Sequence, residues 1–243
     1  MKKLTGMIFF IAVACCMSSY GWADLQSGLV AYYPFNGNAD DASGNGNDAT
    51  VTEAVPAPDR FGKADQAYLF DGVDDKILAP HDATLDPTGQ ISVAAWVLPL
   101  EVKSQYLINK GGSPSAPYRM SLTATGNVGF AIYLEGAEYV SLVIKEGYSI
   151  TQWSLCVGTY DGIEVKLYVN GELADSLSAT GNITSNTSPL LMGTRTQLVA
   201  DTLHGTLDEV RIYDRALTES EIRLLWKLGP PPVPILPLLL EEP

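Results

Sequence analysis

Cysteine, histidine and positive charge are all scarce in this 243-residue chain, and each shortage removes a class of function. Two of the three cysteines, Cys15 and Cys16, lie in the first 23 residues. Without that segment Cys156 alone remains, and no internal disulfide can form. A chain of this length buries enough apolar surface to fold without one. Cys156 sits in a strand-like run, 153–157, with no histidine beside it, so it reads as a buried, inert thiol. The two histidines, His81 and His204, are not near any Cys or His at ligand spacing, which argues against a transition-metal centre. Fifteen Lys and Arg stand against 28 Asp and Glu, for a formal net charge of −13. Such a chain is a poor partner for nucleic-acid phosphates or anionic lipid, and is compatible with divalent cations and neutral glycans.

No apolar run is long enough for a typical membrane span. Lys2 and Lys3 precede a short apolar stretch, 7–17, and Gly21-Trp22-Ala23 offers small residues at the −3 and −1 positions of a cleavage site. This is the grammar of a secretory signal, 1–23, with the mature chain starting near Asp24 and a secreted or cell-surface location. Ala12-Val13-Ala14-Cys15 loosely resembles a bacterial lipobox, so lipid anchoring through Cys15 is the alternative. At the other end, 229–243 reads as a tail. Pro230-Pro231-Pro232-Val233-Pro234 is extended polyproline, and the apolar stretch that follows is either a disordered end or a remnant of a sorting signal.

Long helical periodicity is nearly absent between these ends. Short runs of β-branched and aromatic residues alternate with Gly, Asn, Asp, Ser and Pro, the spacing of an all-β sandwich or barrel over 24–228. Strands are expected at 29–35, 66–70, 76–79, 91–98, 106–109, 118–123, 128–134, 139–144, 153–160, 164–169, 172–177, 190–193 and 204–213. The run 91–98 is apolar on both faces and so central. Asp161-Gly162 and Asn170-Gly171 are hairpin signals and make 153–177 an antiparallel meander. One short helix starts at Thr218, with Glu221 completing a capping box and Ile222, Leu225 and Trp226 on one face. Trp96, Trp153 and Trp226 read as core or helix-docking residues.

Several motifs then line up in order. Leu29-Val30-Ala31-Tyr32-Tyr33-Pro34-Phe35 leads into Asp41-Ala42-Ser43-Gly44-Asn45-Gly46-Asn47-Asp48-Ala49. Ala67-Tyr68-Leu69-Phe70-Asp71-Gly72-Val73-Asp74-Asp75 and Ile91-Ser92-Val93-Ala94-Ala95-Trp96-Val97 follow, with segments 153–162 and 166–171 behind them. The last is Gly205-Thr206-Leu207-Asp208-Glu209-Val210-Arg211-Ile212-Tyr213-Asp214-Arg215-Ala216-Leu217, with Glu221-Ile222 beyond it. Over 28–227 this series resembles the laminin-G-like jelly-roll domains of the concanavalin A-like lectin/glucanase superfamily, of the type common in secreted bacterial proteins. The resemblance implies two stacked antiparallel sheets, a carbohydrate- or protein-binding role, and a structural calcium ion. Carried onto this chain, the calcium ligands are the loop Asp41, Asn45 and Asn47 with Asp208 of the last strand. Oxygen-rich Gly/Asn/Asp loops suit calcium, which takes six to eight hard oxygens. An ordinary Asx turn has the same composition, and the Asp71-to-Asp75 cluster is a rival location.

Catalysis lacks its parts. The superfamily's glycoside hydrolases carry paired Glu residues in an E-x-D-x-x-E pattern, which is missing here. Glu135 and Glu138 flank a turn, and Asp208 and Glu209 are expected on opposite strand faces. No Ser elbow or base partner accompanies either histidine. A lyase using one of the twelve Tyr residues stays open. The expectation is a non-catalytic recognition module for glycan, with Tyr106, Tyr118, Arg119, Tyr133 and Tyr139 as ligand-binding candidates, Asn109 and Lys110 as further donors and Tyr148 nearby. Solvent-facing rings would stack on sugars, although β-propensity also accounts for half-buried Tyr. An extracellular structural or adhesion protein acting through protein contacts is the alternative, and a polysaccharide-degrading enzyme a further one.

Overall fold

Residues 25–111, 116–136, 139–143, 152–196 and 201–228 are described by a computed structural model. The signal-like segment, Cys15, Tyr148 and the proline-rich tail lie outside them. Among the described residues, fifteen strands follow in chain order. They are β1 Leu29–Tyr33, β2 Thr50–Thr52, β3 Val55–Ala57, β4 Ala67–Asp71, β5 Lys76–Ala79, β6 Ile91–Pro99, β7 Gln105–Lys110 and β8 Tyr118–Leu122. Then come β9 Val128–Tyr133, β10 Tyr139–Val143, β11 Ser154–Tyr160, β12 Glu164–Val169, β13 Glu172–Ser178, β14 Leu190–Met192 and β15 His204–Tyr213, closed by helix α1, Glu219–Lys227. The short strands β2 and β3 escape the sequence reading: unlike the equally short β14, neither is an apolar run, since β2 carries two threonines and β3 a proline.

The strands form two antiparallel sheets. One has eight strands in the order β13-β12-β11-β6-β15-β4-β3, with β1 and β4 sharing one edge of the long β15. The other has seven, in the order β10-β9-β8-β7-β14-β5-β2. Alternating side chains turn inward from both sheets. Val93, Ala95, Val97, Leu207 and Val210 from the first meet Tyr118, Met120, Phe130, Ile132 and Met192 from the second in one core. The sheets approach closely at Gly158, where even a Cβ would lie 2.1 Å from the ring of Phe130.

The run at β6 is covered on both faces, as its composition predicts. Its outward residues Ala94 and Trp96 belong to a second apolar cluster with Leu155, Val157, Tyr168 and Tyr213 of the same sheet and Ile222 and Leu225 of α1. The helix is set down by its approach. The Ser92 hydroxyl on β6 donates to Arg215 O and accepts from Leu217 N, and Thr218 and Glu221 form the expected capping box. Trp226 is 42% exposed but helps to dock the helix: a Cβ on Gly171, in the turn after β12, would lie 3.4 Å from its Cβ and Cε3. The meander β11-β12-β13 pairs as predicted, with Asn170 and Gly171 both at positive φ, the backbone a two-residue hairpin requires. The first turn spans three residues, 161–163, with the Asp161 carboxylate accepting from Ile163 N and Glu164 N.

Candidate functional site

The outer face of the seven-stranded sheet gathers part of the expected ligand set. In β8 successive side chains alternate, so Tyr118 and Met120 point into the core and Arg119 points out. In β9 Ile132 points inward and Tyr133 outward, half-buried. Arg119 and Tyr133 therefore share a face. Tyr106 joins them from β7. Its hydroxyl accepts from Arg119 Nη1 at 3.3 Å, and the guanidinium carbon sits 5.6 Å from the ring centre. A second guanidinium, from Arg195 in the turn after β14, lies 5.7 Å from the same ring. Burial pulls the Arg119 pKa below its ordinary value; Tyr106 works against this and Arg195 adds to it.

The other candidates fall elsewhere. Tyr118 is a correction: it is fully buried, and its hydroxyl donates to Leu85 O at 2.9 Å, so it has no ring face to offer a ligand. Tyr106 is itself only 8% exposed and positions Arg119 rather than serving as a platform. Tyr139 pairs through its backbone with Tyr133. Asn109 is buried, and its amide donates to Gly111 O and, at 2.8 Å, to Arg195 O, so it fixes the arginine-bearing turn. Lys110 is fully buried, paired with Asp86 at 3.1 Å and donating to Ser188 O at 2.7 Å. Burial lowers its pKa, with Asp86 opposing. It pins loops together and cannot reach a ligand. Arg195 was missed by sequence reasoning, since a lone Arg in a turn carries no periodic signal.

A second cluster forms behind β1. Asp41 accepts from Tyr32 N at 2.9 Å, Ser43 N at 2.9 Å, Ser43 Oγ at 2.8 Å and Asn47 N at 3.0 Å. Three donors converge on the single carbonyl of Val30: Ser43 Oγ, Asn45 Nδ2 and Asn47 Nδ2, each at 3.0 Å. A carbonyl has two lone pairs, so this is one donor too many. Asn47 is buried, and its Oδ1 has no hydrogen-bond partner. Asp41, Asn45 and Asn47 are thus brought together as the sequence expects.

Asp208 is engaged separately. It forms a buried ion pair with Arg60, 2.7 Å from Nη1, and that guanidinium is stacked between Trp96 and Phe61, 4.8 and 4.6 Å from the ring centres. Burial pushes the Asp208 carboxyl up to about 7, helped by Glu209 and against the pull of Arg60. Asp208 and Glu209 do not take opposite faces. A bulge in β15 places Asp208 opposite Trp96 and Arg211 opposite Ala94, with Glu209 in the left-handed region at φ 54°. The extra residue keeps Glu209 out of the core and lets it accept from the Tyr32 hydroxyl at 2.9 Å and pair with Arg211.

A third group, Asp71, Asp74 and Asp75, brings carboxylate oxygens within 4.8 Å of one another, beside a shallow cleft also lined by Glu53, Val55 and Leu69. Burial raises the Asp75 pKa, opposed by a hydrogen bond from Asp71 N.

A family model described as the concanavalin A-like lectin/glucanases superfamily, Laminin_G_3, matches residues 71–223. That segment includes Asp208 and excludes the Asp41 loop. Among solved structures, the chain is similar to the binding domain of Paraclostridial Mosquitocidal Protein 1, at 20% identity and TM-score 0.69 over 83% of this chain and 52% of that one. It is similar to domain 4 of AbnA, a GH43 extracellular arabinanase from Geobacillus stearothermophilus, in complex with arabinotriose, at 24% identity and TM-score 0.64 over 82% and 98%. It is also similar to the ligand binding domain of botulinum neurotoxin serotype D in complex with N-acetylneuraminic acid, at 17% identity and TM-score 0.69 over 85% and 52%. The chain spans about half the length of the toxin domains it matches. At these identities the likeness is one of fold. No curated protein matches the sequence.

Proposed function

The chain belongs to the concanavalin A-like lectin/glucanases superfamily, and from that premise we propose that it is an extracellular, non-catalytic module that binds carbohydrate on the outer face of its seven-stranded sheet. The observation that carries this reading is the convergence of Arg119, Tyr106 and Arg195 on the face that also presents Tyr133. A sugar needs an apolar plane to stack on and fixed donors for its oxygens; Tyr133 offers the first and the guanidiniums the second. Relatives in complex with arabinotriose and N-acetylneuraminic acid support a saccharide, and an extracellular arabinanase supports the location. A glycan array run on the wild type and Arg119→Gln tests it. Hits that vanish in the variant are expected. A blank array, with and without calcium, overturns the reading and leaves the adhesion alternative, in which the chain acts through protein contacts.

The loop behind β1 is proposed to hold a structural calcium ion. Asp41, Asn45, Asn47, Ser43 and the Val30 carbonyl would supply oxygens, with each Asn amide turned half a turn about its last torsion to present Oδ1. The orphaned Asn47 Oδ1 and the surplus of donors on Val30 O support this fit. Asp208 is left out of the set, because Arg60 already neutralises it. Calcium added to chelator-treated protein is expected to raise the melting temperature, and Asp41→Asn to abolish the rise. No rise in the wild type overturns the proposal. A rise abolished by Asp74→Asn and not by Asp41→Asn transfers the ion to the Asp71 cluster.

A further inference from the structure

We propose that Lys110 and Asn186 are joined by an intramolecular isopeptide bond, which the folded chain forms by itself with loss of ammonia. Lys110 is the last residue of β7 and is fully buried, although its side chain ends in a charge. Its Nζ is ringed by Ser188 O at 2.7 Å, Asp86 Oδ1 at 3.1 Å, Asn186 Oδ1 at 3.3 Å, and Asn186 O and His81 Nδ1 at 3.4 Å. An ammonium has three hydrogens, so these partners are more than it can serve. The shortfall falls on Asp86, whose Oδ1 is buried and has no hydrogen bond in spite of its closeness to Nζ. Moving one proton from Nζ to Asp86 turns two buried charges into a neutral amine and a carboxylic acid, the forms that burial favours. The same burial lowers the Lys110 pKa.

A neutral, desolvated lysine is a nucleophile. A C=O bond is about 1.23 Å long, so Cγ of Asn186 lies within about 4.5 Å of Nζ. A shift of about 1 Å brings the two atoms to attacking distance. The carboxamide is held for this: its Oδ1 accepts from Ser188 N at 3.0 Å, and its Nδ2 and Cγ lie where a Cβ on Gly111 would meet them at 2.5 and 3.2 Å. In the reaction the Nζ lone pair attacks Cγ, and the carbonyl π pair moves to Oδ1. Asp86 passes its proton to Nδ2 and takes one from Nζ. The double bond to Oδ1 re-forms, the Cγ–Nδ2 bond breaks, and ammonia departs. Asp86 ends the step with a proton, as it began it, so it is a relay and no co-reactant is consumed. The bond links residues 76 positions apart, at the end of β7 and in the loop before β14. It restrains the unfolded chain as a disulfide would, where Cys156 is the one cysteine among the described residues.

The intact mass of the purified, denatured protein tests this. The expected mass is one ammonia, about 17 Da, below that of the sequence counted from the observed N-terminus. A tryptic digest should leave the chain uncut after Lys110 and join the peptide that contains it to the one that contains Asn186. Lys110→Arg and Asn186→Ala should each show their full sequence mass. Asn186→Ala removes a half-buried loop side chain and keeps the comparison open where Lys110→Arg does not fold. A wild-type mass equal to that of its sequence overturns the proposal. So does a deficit traced to a succinimide at an Asn-Gly pair such as Asn45-Gly46, with the Lys110 and Asn186 peptides separate. A deficit of one water, about 18 Da, with Lys110 joined to Asp86, overturns the choice of Asn186 as acceptor and of Asp86 as relay.

Discussion

The two sheets carry arginines over aromatic rings on their outer faces, and treat them in opposite ways. On the eight-stranded sheet, Arg60 is sealed between Trp96 and Phe61 and neutralised by Asp208, with side-chain exposures of 6% and 3% for the ion pair. That face also carries α1, seated on Ile222 and Leu225. On the seven-stranded sheet, Arg119 and Arg195 flank Tyr106 while remaining partly open to solvent, and no helix covers them among the described residues. The same residue pairing is thus a clasp on one side and, under the proposed function, a receptor on the other. What separates the two is burial: the Arg60–Asp208 pair is closed off from solvent, whereas Arg119 and Arg195 are only half-buried.

The largest effect expected from breaking this contrast is on the clasp. Asp208→Ala strands the Arg60 charge in a buried position and should cost about 3–5 kcal/mol in urea unfolding. A next test sharpens it through pH. Burial holds the folded Asp208 carboxyl up at about 7, so its ion pair with Arg60 is complete only above that pH, whereas the unfolded carboxyl releases its proton near pH 4. Its contribution to stability is therefore full below about pH 4 and is lost as pH rises through 7. Relative to Asp208→Asn, the wild type should lose stability over that window by at most about 1.4 kcal/mol per pH unit. The helix that seals this side depends on its cap, and Thr218→Ala should cost about 1 kcal/mol. Smallest of all is the effect of Arg119→Gln on folding. It should shift unfolding by no more than about 1 kcal/mol, because Arg119 lies on the outer face of β8, partly exposed, while weakening ligand binding. An Arg119 variant as unstable as the Asp208 variant would erase the distinction between clasp and receptor.

Much of the scaffold was legible in the sequence, because it follows from local rules. The doubly apolar β6, the Asn170-Gly171 turn and the Thr218–Glu221 cap each depend on residues close along the chain. The site was less legible. Alternation alone forbids neighbouring Tyr118 and Arg119 from serving one face, and that rule could have removed Tyr118 from the ligand set. It does not say which face is solvent. The Arg60–Asp208 pair joins residues 148 positions apart, and neither carries a sequence signal for the other. The bulge at Glu209 was equally hidden, since Glu is not a residue that announces a positive φ. Asp41, Asn45 and Asn47 came together as expected because a short loop confines all three.

Hydrogen exchange with and without a saccharide that binds on the glycan array tests most directly whether the seven-stranded sheet is the ligand face. The structure predicts slowed exchange in β7, β8 and the turn bearing Arg195, with α1 and the strands beneath it unchanged. Protection centred on α1 and the Arg60 loop, with β7 and β8 unaffected, would contradict it.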